Sequence, residues 1–123
     1  MNLRYFSNKP NLETRAAQIW QILIGFAYNR QITTYKKIAN ILDYNNGAGV
    51  LNRQLGHIMY FCKENNLPPL TILVVNSETG ILGDGFETDL DLGRAREKVF
   101  GYNWFSIFTP SALEFSEIWK SYK

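Results

Sequence analysis

Cysteine and histidine are almost missing from this chain: Cys62 and His57 are the only ones. A single cysteine excludes an intrachain disulfide and a cysteine-based metal site, and a single histidine excludes a multi-histidine one. No apolar run approaches the roughly 20 residues of a membrane span, so no membrane contact is expected. The opening stretch, Met1 to Phe6, lacks the apolar core of a signal peptide, and a cytoplasmic protein is the expectation. No long biased run is present, which argues against wholesale disorder. Asp84, Glu87, Asp89 and Asp91 lack the alternating spacing of a calcium loop and read as turn and cap residues. Gly83-Asp84-Gly85 has no following Lys-Ser/Thr, so it is not a phosphate loop. Neither a cofactor nor a metal is expected.

Apolar residues make up 46% of the chain and aromatics 15%, enough for the core of one domain over residues 1–123. The net charge of +2 is unevenly spread. Residues 1–66 carry eight Lys/Arg against three Asp/Glu, and residues 67–123 carry five against eight. A basic first half points toward phosphate, and an acidic second half away from it.

Asn11 is a good helix cap, and apolar positions recur at Leu12, Ala16, Ile19, Trp20, Leu23, Ile24, Ala27 and Tyr28. That spacing of three and four predicts an amphipathic helix over 12–29, with Trp20 and Phe26 as core anchors. Thr33 or Thr34 caps a second helix, with Tyr35, Ile38, Ala39 and Leu42 inward and Lys36 and Lys37 outward. A turn rich in Asn and Gly follows at 43–49. A third helix is predicted over 48–64, with Asn52, Arg53, Gln54, His57 and Lys63 outward and Cys62 as a buried, inert thiol. Polar and cationic side chains on a helix after a turn suit a nucleic-acid groove.

Pro68-Pro69 break that helix and set extended geometry. Leu70 to Val75 reads as a buried strand, turning through Asn76 to Gly80 into a return that closes at Phe86. Asp91 caps a helix over 92–102, with Val99 and Phe100 inward. The aromatic segment Tyr102 to Phe108 folds back onto the core or docks a protein partner. Thr109 caps a last helix, with Pro110 at its first position and Leu113, Phe115, Ile118 and Trp119 buried. The expected fold class is α+β. It is a mainly helical winged helix-turn-helix with a β-ribbon wing, its core at 12–86 and a helical extension at 87–123.

Four segments in order resemble the C-terminal domain of alkylguanine-DNA alkyltransferases and the shorter alkyltransferase-like proteins. They are Thr33-Thr34-Tyr35 with Ile38-Ala39, Asn52-Arg53-Gln54-Leu55-Gly56, Val74-Val75-Asn76, and Gly80 to Phe86. The resemblance covers about half the chain and implies a winged helix that binds DNA. It places the family's reactive cysteine on Thr71, and the neighbouring histidine and arginine on Ile72 and Leu73. It places the arginine that the family inserts into the stack on Gly49, with Arg53 one turn later. A threonine hydroxyl without a base is a poor nucleophile, so no enzyme activity is expected.

The expectation is therefore a non-enzymatic, winged-helix protein binding duplex DNA. Lys36, Lys37, Arg53 and Arg30 would hold phosphates. Thr34 and Tyr35 would lie at the interface, and Asn52, Gln54 and His57 would face base edges or the groove wall. A wing around Ser77 to Thr79 would touch the backbone. The alternative is a protein-interaction module on the same scaffold, such as a phage or defence factor, docking through Tyr102 to Phe108.

Overall fold

Asn11 accepts the Thr14 backbone N–H on its side-chain oxygen at 2.8 Å. That bond satisfies a free donor of the first turn and starts α1, Leu12–Tyr28. The computed structural model describes Leu3, residues 11–43, 48–76 and 92–122, the side chains of 48–50 excepted. Within them follow β1 (Thr33–Thr34), α2 (Tyr35–Ile41), α3 (Ala48–Glu64), a 3-10 turn (Leu70–Leu73) and β2 (Val74–Val75). Then come α4 (Leu92–Gly101), a second 3-10 turn (Trp104–Ser106) and α5 (Ala112–Ser121). The described residues form five α-helices and a two-stranded sheet, an α+β arrangement dominated by helix.

Trp20 sits at the centre of the core, 1% exposed. Its ring meets Phe61 of α3 edge-on at 5.5 Å and Trp104 of the second 3-10 turn at 5.6 Å. Phe115 of α5 tilts against it at 6.2 Å. One side chain thus joins the N-terminal helix, the central helix and the C-terminal segment, in geometries that aromatic quadrupoles favour. The indole N–H of Trp104 is satisfied by the Val99 carbonyl at 2.8 Å, which lets so polar an edge be buried. Around this hub lie Ala16, Ile19, Leu23 and Ala27 of α1, Ile38 of α2, Leu51 and Ile58 of α3, and Leu70, Ile72 and Leu73.

The segment predicted as one strand divides. Leu70–Leu73 coil into a 3-10 turn, closed by the Ile72 N–H donating to the Pro69 carbonyl at 3.0 Å. Only Val74–Val75 are extended, and they pair in parallel with Thr33–Thr34. All six residues are buried, so no alternation was available to separate strand from turn. The predicted wing over 77–86, the 44–47 turn and the Asp91 cap lie outside the described residues.

Four further expectations change. Tyr28 is 73% exposed, lying at the surface end of α1 instead of on its buried stripe. The last helix is capped by Ser111, not Thr109: Ser111 and Glu114 bond each other's backbone N–H in a capping box at 3.2 and 3.1 Å. Leu113 is 67% exposed, because it lies about 200° around α5 from buried Phe115. The aromatic segment folds back in part: Trp104 is buried, while Phe105 and Phe108 stay in solvent.

Candidate nucleic-acid interface

Thr34 fixes where α2 begins. Its backbone is extended, and its hydroxyl oxygen accepts the Lys37 N–H at 3.1 Å. Thr33 is the buried strand residue beside it. With that start, Ile38 and Leu42 turn into the core, Tyr35 and Ala39 are half-buried, and Lys36 and Lys37 stand in solvent. The Lys37 ammonium lies 5.4 Å above the Phe26 ring of α1, a cation–π contact that steadies its stem. α2 packs on α3, and Leu51 carries the contact face of α3 into the same core.

On α3, Asn52 and Arg53 are exposed, next to buried Leu51 and Leu55. No carboxylate among the described residues pairs with Lys36, Lys37 or Arg53. These four polar side chains, at the start of α2 and near the start of α3, are the part of the predicted set that the structure leaves open to a partner.

Gln54 and His57 are corrections: they face inward, at 2% and 0% exposure. The His57 ring stacks on Trp119 of α5 at 4.1 Å and 6°. Its Nδ1 lies 2.7 Å from the Arg53 carbonyl, so that nitrogen carries the proton and donates it. Its Nε2 is buried. The reason is the number of neighbours. α3 is packed against α1, α2, α5 and the first 3-10 turn, so its buried face is wider than one amphipathic stripe. A helix flanked on that many sides has little outward surface left for reading a groove along its length.

Aromatic rings of α5 and its C-cap residue lie against the middle and later turns of α3, while Lys63 and Glu64 at its end stay exposed. Tyr60 tilts against Trp119 at 5.5 Å and stacks on Tyr122 at 4.4 Å. Tyr122 donates its hydroxyl to the Glu64 carboxylate at 3.0 Å, which raises the phenol above its ordinary value. Gly56 allows the close approach: a Cβ there would lie 2.9 Å from Cζ3 of Trp119. The sequence held a signal for this cover in Trp119 and Tyr122, which recur three apart at helical spacing beyond a capped start.

Arg30, expected at phosphate, is engaged elsewhere. Its guanidinium is paired with Glu97 of α4 and lies 5.1 Å above the Phe100 ring. Thr71, the residue that the sequence resemblance set against a reactive cysteine, is 2% exposed and lies in the first 3-10 turn. Cys62 is also buried, and desolvation pushes its thiol up to about 12, with the opposing hydrogen bond to the Leu70 backbone the smaller effect. Among the described residues no helix is long and apolar enough to cross a membrane, and no group of three or more His, Cys, Asp or Glu is placed to hold a metal. No protein-family model, curated protein or solved structure matches the chain.

Proposed function

We propose that this chain is a non-enzymatic nucleic-acid-binding module, a winged helix-turn-helix of alkyltransferase-like type that meets duplex DNA. The observation that supports it is the packed α2–α3 pair carrying Lys36, Lys37, Asn52 and Arg53 in solvent, without described carboxylate partners. Lys36, Lys37 and Arg53 contact phosphate, and Asn52 faces a base edge or the groove wall. Contact is confined to the first turns, since rings of α5 and its C-cap residue lie against the middle and later turns of α3. That restriction suits helix-turn-helix docking, where the N-terminal residues of the second helix reach the bases. Few phosphate contacts make binding weak and steeply salt-dependent.

Alkyl transfer is outside this function. Thr71 is buried, and a threonine hydroxyl with no adjacent base is a poor nucleophile. Incubation with alkylated oligonucleotide leaves the protein mass unchanged; a stable adduct of alkyl mass overturns the reading. The test of binding itself is an isotherm on duplex, single-stranded and alkylated DNA at two salt concentrations. Affinity that falls with salt on duplex supports the proposal.

A second reading has its own observation. Phe105, Phe108 and Leu113 are 63%, 98% and 67% exposed, three large apolar side chains in solvent. Such side chains suit a protein partner docking on Tyr102 to Phe108. A defined protein complex in pull-downs, without any DNA affinity, favours this reading over the first.

A further inference from the structure

An open cleft of about 300 Å³ lies between the end of α1 and the α4–Trp104 segment. Its walls are aromatic: Tyr28, Phe100, Tyr102, Trp104 and Phe105 all line it. The volume is at the lower end of what small-molecule pockets occupy, and apolar walls with few polar groups are their usual character. Trp104 has committed its indole N–H to the Val99 carbonyl, so it offers the cleft only a ring. Tyr28 and Phe105 meet edge to face at 5.8 Å, exposed, as a ready stacking wall.

Among the described residues, the one charge lining the cleft is Arg30. Its backbone sits at φ 55, in the left-handed region. Phe100 lies beneath it, and Glu97 grips Nη2 through both carboxylate oxygens at 2.5 and 2.7 Å. Glu97 holds Arg30 through one nitrogen, Nη2, and a guanidinium has five N–H donors, so donors remain on Arg30 beyond that pair. Glu97 does not line the cleft. What the cleft lining itself offers is therefore the N–H donors of Arg30 beside a group of aromatic rings.

We infer that this cleft binds a small planar aromatic anion, one or two fused rings bearing a carboxylate, with the ring between the aromatic walls and the carboxylate on Arg30. The chemistry is that of charge-assisted, fork-like recognition joined to ring stacking. The site is separate from the proposed DNA face on α2 and α3, and it stands whether or not DNA binds.

The probe is 2-naphthoate, titrated into ¹⁵N-labelled protein, with 2-naphthalenemethanol and 2-naphthylmethylamine as neutral and cationic counterparts. Saturable shifts at Gly101 and at the Trp104 indole, strongest for the anion, are expected. Arg30→Gln weakens naphthoate about tenfold, the size of one charge-assisted hydrogen bond. Glu97→Gln removes a competing carboxylate and tightens it. These opposite signs separate binding from structure, since both variants break the same ion pair and a purely structural role moves both the same way. Both positions are more than half exposed, so both variants fold. A tetrapeptide ending in a free Phe carboxylate separates the sources: tighter binding than naphthoate assigns the site to a chain terminus, weaker binding to a free small molecule. No saturable shift, equal affinity for all three naphthalenes, or parallel loss in both variants overturns the inference.

Discussion

Cys62 lies 1% exposed on α3, where burial disfavours the charged thiolate. Its folded value of about 12 is above the ordinary 9.0. Between those values the unfolded chain has lost the proton and the folded chain keeps it. The stability tied to it is therefore whole below pH 9 and is lost as pH rises toward 12, by up to roughly 4 kcal/mol. Melting curves between pH 8 and 11 check this: wild type falls more steeply than Cys62→Ala. Iodoacetamide labels Cys62 only in denaturant; rapid labelling of the native protein contradicts its burial. At this scale the sequence was informative where one residue acts on its own backbone, as with Asn11 and Thr34. It was misleading at Gln54 and His57, whose side depends on neighbours far away in the chain. A lone polar residue beside an apolar stripe carries no mark of being stacked on a tryptophan 62 positions later.

At the scale of elements, α3 runs over 48–64 as its periodicity predicts, and α1 stops one residue short of the expected end. Helices of 17 residues show their repeat clearly. Leu70 to Val75 could not be read in the same way, because a continuous apolar run has no period and the two prolines before it fit either outcome. The junction of α3 and α5 makes a sharp prediction. A methyl group at position 56 would sit 2.9 Å from the Trp119 ring, under the distance that packed carbons tolerate. Gly56→Ala therefore costs about 1–3 kcal/mol by overpacking, despite the helix preference for alanine. Adding Trp119→Ala removes the clash, so the second alanine costs less in the Gly56→Ala background than in wild type. Denaturant titrations of the four proteins measure that coupling, and strict additivity contradicts the close approach.

At the scale of the molecule, Trp20 joins three parts of the chain that are far apart in sequence. Trp20→Ala costs about 3–5 kcal/mol, a large share of the stability of a small domain. Urea unfolding shows it, and a loss below about 1 kcal/mol would mean that the three ring contacts carry little. The class of the fold, α+β and mainly helical, was legible in the order of helices, whereas the parallel pairing of Thr33–Thr34 with Val74–Val75 was not, since the two threonines read as a helix cap. The packing of α5 over α3 left only the spacing of Trp119 and Tyr122 as its mark; the partners His57 and Gly56 were not legible, because no local pattern encodes contacts so far apart in the chain.

The proposed DNA face is tested most directly at Arg53, exposed on α3 and flanked by buried Leu51 and Leu55. The measurement is duplex affinity of wild type and Arg53→Ala across a salt titration, with melting curves alongside. The expected result is weaker binding on every duplex, a salt slope lower by roughly one unit, and stability within about 0.5 kcal/mol of wild type. Unchanged affinity and slope contradict a DNA-binding role for this helix pair.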